Sequence, residues 1–402
     1  MPPKTAMPTD LCPNKSECGS CAWSHIPYDK QLQQKLSDIN GSFALKKLDL
    51  RVSEILPAPK TSHYRNRMDF VINYQGAMGL RAKGKWWKTI DNHTCFLADT
   101  NIEKLFHITR NWLPQSGLTY YDRKTNTGLL RYAVIRSTTT GQSMLTIITS
   151  APQNPTEAAT IKTALTKLAA TTQPTSLVWS INHHLSDIST GDELHTITGP
   201  GYIEETIGGK TFRITPNAFF QTNTYGAALL QKTVMEFAGD LAQKTLLDLY
   251  CGSGFFAISL AAPTNPQAPN QKTATHTRPK TTIGIELVPE AIKDARINAQ
   301  LNNVAQTITF HDAKAEDYDW TTFKADTVIL DPPRSGMHDK TLQDILAAKP
   351  ATIIYISCNY KNFAREMLQL QSIYEIKKMR AIDMFPHTPH VELVSLLIRR
   401  AT

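Results

Sequence analysis

From residue 245 onward, short apolar runs alternate with helix-length amphipathic stretches, and this alternation limits the fold more than any other feature. Residues 245–249, 282–286, 308–310, 327–330 and 352–357 read as buried strands. Helices fit between them, most clearly over 289–301, and a further helix over 224–237 precedes them. Such alternation predicts a parallel sheet covered on both faces, a doubly wound, Rossmann-like α/β domain. The last two strands, 374–384 and 391–399, form a hairpin across "FPHTPH". The polar, proline-rich run 262–280 reads as a surface loop between the first helix and the second strand. Before residue 215 the texture differs. A helix is expected over 26–40, strands and turns over 48–90, and strands at 144–149, 177–181 and 212–214. An amphipathic helix over 156–170 carries Ala158, Ile161, Ala164, Leu165 and Leu168 on one face. The first half is therefore expected to be α+β, with strands dominant.

Open α/β sheets present their chemistry where strands end. In "LLDLYCGSGFFAISLAA" a strand gives way to a turn holding Gly252 and Gly254, and then to an apolar helix. Glycines let a backbone turn sharply and approach a ligand. The spacing is neither the dinucleotide GxGxxG nor a phosphate-binding P-loop, and it also reads as a plain tight turn. Glu286 ends the second strand, where a carboxylate can accept from ribose hydroxyls. Asp312 follows the third strand, placed either to receive an adenine amino group or to cap a helix. A short GxG loop without a pyrophosphate site fits S-adenosylmethionine. Asp331 closes the fourth strand in "VILDPPRSGMH", before two prolines that stiffen the chain. It lines a planar substrate or is a simple turn residue, and Arg334 steers a phosphate or faces solvent. Cys358, in "IIYISCN", stands where the fifth strand ends, as a thiol placed for chemistry or as a small core hydrophobe.

The 402 residues carry a net charge of +8, which favours an anionic partner, nucleic acid first. The start, "MPPKTAMPTDLCPNK", lacks the apolar run of a secretory signal. No stretch approaches the roughly 18 apolar residues of a membrane span. A cytoplasmic protein is expected, in a reducing compartment where its six cysteines stay out of disulfides. Cys12, Cys18 and Cys21 crowd a segment poor in apolar residues, and Cys95 joins them from a distance. Four thiolates can hold zinc or an iron–sulfur cluster, and spacing does not decide between them. Three local ligands and one distant one depart from the paired hairpins of a usual structural zinc site. His25 and His93 are nearby alternatives. Between Lys60 and Lys88 lie seven cations, Lys60, Arg65, Arg67, Arg81, Lys83, Lys85 and Lys88, against Asp69 alone. His63, Tyr64, Phe70, Tyr74, Trp86 and Trp87 are interleaved with them. Cations among rings suit looped or single-stranded RNA, or a solvated edge over a packed aromatic face.

Five segments, "FFQTNT" from Phe219, "DLYCGSG" from Asp248, "DPPRSG" from Asp331, "ISCN" from Ile356 and "DMFPHTPHVE" from Asp383, resemble in order those of the S-adenosylmethionine-dependent RNA uracil-5-methyltransferases. The resemblance implies a class I methyltransferase fold, with Cys358 as nucleophile and Glu392 as the base that takes the C5 proton. It implies that Gln221 contacts cofactor or target base, that Phe219 lies near the uracil, and that Asp331 helps orient it. Gly252, Glu286 and Asp312 match cofactor-binding positions. His390 has a supporting or packing role, and either Phe219 or Phe220 could stack on a base that has left its helix. Branches of the family carry a [4Fe–4S] cluster on a three-plus-one cysteine arrangement, which favours a cluster over zinc on Cys12, Cys18, Cys21 and Cys95. Many relatives have a small β-barrel RNA-binding domain before the cysteine motif. Only eleven residues precede Cys12, so that domain is expected to be absent. The compact layout is most like the branch that modifies 23S ribosomal RNA, with transfer RNA as the alternative.

The expected organisation is a cysteine-rich, RNA-binding part over 1–95, the rest of an N-terminal domain over 96–210, and a catalytic domain over 211–402. C5 of uracil is too poor a nucleophile to take a methyl group directly. A thiolate adding at C6 makes an enolate whose C5 is nucleophilic, and a carboxylate then removes the C5 proton as the sulfur departs. A cytosine-C5 methyltransferase would also use a cysteine, but its proline–cysteine setting is missing. An RNA-binding metalloprotein with an inactive methyltransferase domain is the other reading, and intact Cys358 and Glu392 argue against it. No obligate protein partner is expected.

Overall fold

The computed structural model describes residues 12, 14–91, 95–262 and 277–401. His93 and most of the expected 262–280 loop lie outside the described residues. The C-terminal half is built on β1 (Thr245–Leu249), β2 (Thr281–Glu286), β3 (Ile308–Asp312), β4 (Thr327–Leu330), β5 (Thr352–Ser357), β6 (Tyr374–Ile382) and β7 (Glu392–Arg399). Their order across the sheet is 3-2-1-4-5-7-6. The first five pair in parallel, and β7 runs antiparallel to both neighbours, β5 and β6. The strands are buried on both faces because helices cover both, and their nearly continuous apolar runs follow from that. The chain leaves β1 toward β2 on one side, while β4 lies on the other. That switch point opens a crevice at the carboxyl ends of the strands.

The N-terminal half holds a second sheet, with seven strands among the described residues, from Lys85–Asp91 at one edge to Glu193–Thr198 at the other. Its one parallel pair, Ser143–Ser150 with Ser176–Asn182, is joined by the crossover helix Pro155–Thr172, as parallel neighbours require. Ile161, Ala164, Leu165 and Leu168 of that helix are buried, as the sequence predicts, and Ala158 packs at their margin.

The expected boundaries differ from the packing at two places. The helix Tyr28–Leu45 and the strand Ile55–Leu56, read as part of an N-terminal unit, belong to the C-terminal core. Ile39 and Phe43 pack with Leu247, Ile353 and Phe363, and Ile55–Leu56 extends the large sheet in parallel beside β6. The boundary at 210/211 falls inside a hairpin, Ile203–Ile207 with Lys210–Ile214. Its apolar residues join the core around Leu230 and Phe255, and Asn298 and Asn302 side chains accept from the Arg213 and Thr211 amides at 2.7 and 3.0 Å.

A polar knot ties the helix Tyr28–Leu45 to the β6–β7 connection. Lys35 Nζ lies 2.6 Å from Asp383 Oδ1, both side chains fully buried, and Tyr28 Oη donates to Asp383 Oδ2 at 2.8 Å. Gln31 accepts from the His387 amide at 2.8 Å, and Tyr64 Oη donates to the Pro386 carbonyl at 3.0 Å. Breaking a buried ion pair by removing one partner strands a charge in an apolar interior, at a cost of about 3–5 kcal/mol. The loop leading to β7 is therefore fixed from the N-terminal side. Among the described residues no helix is long and apolar enough to cross a membrane.

Candidate active site

The crevice at the switch point is a cavity of about 1560 Å³. Its walls include Phe219, Gln221, Gly252, Glu286, Asp331, Arg334, Cys358, His390 and Glu392. Asp312 is the exception among the expected residues. It ends β3 opposite Glu286 and is exposed outside the lining, while Ala313, Lys314 and Ala315 form the wall. The wall is made by the chain just past the strand, while the Asp312 side chain stands in solvent.

The turn after β1 explains its glycines. Gly252 has a φ of +54°, and a Cβ there would project into open space, so the backbone lies bare at the cavity wall. At Gly254, φ +84°, a Cβ would come within 2.8 Å of Ile258 and 3.1 Å of Phe310, so a side chain would push the helix Phe255–Ala261 off the sheet. Asp248 Oδ2 accepts from the Ala257 amide at 2.9 Å and so caps that helix from inside β1. Burial pushes the Asp248 carboxyl well up, and its other oxygen has no hydrogen-bond partner. Glu286 accepts from the amides of Gly252 and Val288 at 3.1 and 2.9 Å, which fixes its carboxylate at the end of β2. An open glycine backbone beside a fixed carboxylate at a strand end fits a nucleoside-bearing cofactor.

On the opposite wall, Ser357 of β5 pairs with Leu393 of β7. One further step of that antiparallel register sets Cys358 opposite Glu392. Asp331, at the end of β4, completes a group of three acids in an apolar setting. Burial raises Glu392 to about 8, with Asp331 adding to the effect, and burial raises Asp331 to about 7. Burial lifts the Cys358 thiol to about 11; Glu392 and Asp331 push it the same way and Arg334 opposes them. The carbonyl of Arg334 accepts from Asn359 and Asn362 side chains at 3.1 and 2.8 Å, so the loop after β4 is tied to the start of the helix that follows Cys358. His390 is half-buried and its pKa is lowered by burial and by Arg334, which suits a neutral, supporting ring.

The two phenylalanines divide as their surroundings dictate. Phe220 is buried among Phe212 and Phe255, with ring centroids at 5.7 and 6.1 Å. Phe219 is 68% exposed on the cavity wall. The sequence reading missed Asn217, two residues before it, whose side chain donates to the Gly191 carbonyl at 2.9 Å. It also missed Thr190, Gly191 and Asp192, which reach the wall from the other half of the chain, and Phe385 beside His390. Asn217 flanks a recognised segment and could have been found; the 190–192 loop carries no local signal.

Cys12, Cys18, Cys21 and Cys95 are all buried and none is in a disulfide. They come together from separate segments. Burial raises Cys12 to about 11 with Cys21 and Cys95 adding, and Cys18 raises Cys95. Among the described residues no three His, Cys, Asp or Glu side chains are grouped as ligands of a single metal ion. Neither the expected iron–sulfur cluster nor its zinc alternative is shown by this arrangement. His25 is exposed.

With this geometry in view, the likenesses to known proteins are informative. The model of the tRNA (Uracil-5-)-methyltransferase family matches residues 185–400. An uncharacterized RNA methyltransferase of Caldanaerobacter subterraneus is 35% identical over 394 residues, covering 96% of this chain and 84% of the relative. The tRNA (uracil(54)-C(5))-methyltransferase of Pyrococcus horikoshii is 34% identical over 388 residues, 96% of this chain and 85% of that one. The crystal structure of Pyrococcus abyssi tRNA (uracil-54, C5)-methyltransferase in complex with S-adenosyl-L-homocysteine superposes with a TM-score of 0.76 at 30% identity, over 98% of this chain and 88% of that chain. The switch-point cavity thus sits in a fold shared along nearly the whole length with RNA-modifying enzymes, and the chain belongs to the tRNA (uracil-5-)-methyltransferase family and is an RNA methyltransferase.

Proposed function

We propose that this enzyme methylates C5 of a uridine in transfer RNA, with Cys358 as nucleophile and Glu392 as base. The observation that carries the reading is the meeting of Cys358 and Glu392 across the β5–β7 register, on the wall of a cavity that also holds Gly252 and Glu286. S-adenosylmethionine, when bound, supplies an electrophilic methyl group. Gly252 and Glu286 would hold its nucleoside part. The Cys358 thiol loses its proton to solvent and its sulfur bonds C6; the C5–C6 double bond opens, its electrons move to O4, and C5 becomes nucleophilic in the enolate. Arg334 favours the charged sulfur that this step needs. After C5 is methylated, Glu392 takes its proton, the S–C6 bond breaks and the ring double bond returns. Asp331 orients the uracil, and Phe219 offers a face for it to stack on.

Transfer RNA is preferred over the ribosomal RNA expected from the compact layout. Two relatives of assigned target, from Pyrococcus horikoshii and Pyrococcus furiosus, are each 34% identical and named for uracil 54 of tRNA. Base-resolution mapping of 5-methyluridine in cells with and without the gene tests this. The modification should vanish from tRNA when the gene is deleted; loss confined to ribosomal RNA would reverse the assignment, and no loss would refute the activity.

We further propose that Cys12, Cys18, Cys21 and Cys95 hold a [4Fe–4S] cluster that orders the N-terminal segment. A single zinc would draw its sulfurs to about 3.8 Å of one another, whereas a cluster places each cysteine on its own iron. Four buried thiols outside any disulfide, three local and one distant, support the second. Protein purified without oxygen should absorb in the visible and contain about four iron per chain; stoichiometric zinc without iron would overturn this.

The site's acids also predict how pH acts. Cys358 must be ionised to attack and Glu392 to take a proton, and both hold their protons above the usual range, so the rate should rise with pH through neutrality and keep rising beyond about 8. Stability should run the other way. The folded carboxyl holds its proton more tightly than the unfolded one, so its contribution is full below about 4.5 and is lost as pH rises through about 8. Glu392→Gln removes that loss. Thermal melts should show the variant gaining on the parent from about pH 5 upward and levelling near pH 9; a gap independent of pH would contradict the assignment.

A further inference from the structure

The basic stretch 60–88 contracts once its partners are seen. Arg67 pairs with Asp69 at 2.7 Å, Lys88 with Glu17 at 3.0 Å, and Arg81 with Asp187, while Tyr64 and Phe70 are buried. Besides Tyr74, the rings left outward lie by the hairpin tip at 83–84. Trp86 and Trp87 are 55% and 60% exposed and adjoin Lys83 and Lys85.

The loop 183–192 is held to the face of the N-terminal sheet at four points. Arg131 donates to the carbonyls of His184, at 2.7 Å, and Ser186. Asp187 accepts from Tyr132 Oη at 2.6 Å and pairs with Arg123 at 2.7 Å. Ser189 donates to Asp69. Between these anchors stand Leu185, 69% exposed, and Ile188, 45% exposed. A single exposed leucine needs no explanation, but here buried arginine and tyrosine contacts hold a loop so that its two aliphatic side chains face outward. The loop ends in Thr190, Gly191 and Asp192, which line the cavity. Arg123 joins the two features. While paired with Asp187, its guanidinium stacks 5.1 Å over the Trp86 ring.

We propose that this ridge, with Leu185 and Ile188 beside the cavity and Trp86 and Trp87 beyond them, docks the nucleotides flanking the target uridine. The inference rests on the RNA methylation proposed above and deepens it. A uridine that leaves its stack exposes the faces of its neighbours, and aliphatic or aromatic side chains cover such faces. Arg123 adds a planar cation, and Lys83 and Lys85 meet phosphates. A protein partner could also cover these side chains, but cations interleaved with rings, continuous with an RNA-modifying cavity, favour RNA.

The test is direct binding of a fluorescent tRNA-derived stem-loop, followed by anisotropy, to the parent and to two double variants, Leu185→Ser with Ile188→Ser and Trp86→Ala with Trp87→Ala. Base–aromatic stacking is worth about 1–3 kcal/mol per base, and covering a leucine or isoleucine side chain about 1.5–3 kcal/mol, so each pair should raise Kd about tenfold or more. Affinity for S-adenosylhomocysteine should stay at the parent value, which reports an intact fold. A Kd within about twofold of the parent for either double variant overturns the proposal and leaves that surface to another partner. Failure of the underlying reading shows separately, as absence of 5-methyluridine formation by the parent.

Discussion

The antiparallel pairing of β7 with β5 is the constraint on which the site depends. In an all-parallel sheet only strand C-termini meet at the crevice. Reversing one strand brings its first residue to the same edge, so Glu392, at the start of β7, faces Cys358, just past the end of β5. A one-residue slip would turn every β7 side chain to the other face and bury Leu393 where the carboxyl belongs. Apolar residues of β7 on both faces hold the register, since Leu393 and Leu397 enter one core and Val394 and Leu396 the other. The connection leading into β7 is held in turn by the Lys35–Asp383 pair and by Gln31 and Tyr64, residues that come from the first 64 positions of the chain.

Burial gives the cavity its electrostatic character. Three acids within reach of one another could not all be charged in an apolar wall, and the structure answers by raising each of them. Near neutral pH Cys358 and most of Glu392 hold their protons and Asp331 is about half ionised, so the wall carries little negative charge. That suits a neutral base carried on a polyanion, which a row of carboxylates at the mouth would repel. Arg334 is the counterweight on the thiol, and its backbone carbonyl is anchored to the helix that begins just after Cys358.

Much of this was legible in the sequence, for physical reasons. The helix Pro289–Leu301 and the strands Thr245–Leu249, Thr327–Leu330 and Thr352–Ser357 lie where apolar periodicity puts them, because burial on both sheet faces leaves unbroken apolar runs. Cys358, Glu392, Asp331, Arg334, Glu286, Gly252, Gln221 and Phe219 all line one cavity. Asp312 does not: the strand runs on to Asp312 itself, whose side chain is exposed, and the residues just past it form the wall. The helix Tyr28–Leu45 was assigned to the wrong half because an apolar stripe does not name its partner. The basic stretch 60–88 looked free for the same reason: Asp187, which takes up Arg81, stands far along the chain and only the fold brings it close.

The central claim is a transient sulfur–carbon bond between Cys358 and a uracil ring, resolved by Glu392. Glu392→Gln protein, mixed with substrate RNA and S-adenosylmethionine, denatured and digested, should yield by mass spectrometry a peptide containing Cys358 joined to a methylated uridine nucleotide. Absence of that adduct, or continued 5-methyluridine formation by Cys358→Ala protein, would contradict the account.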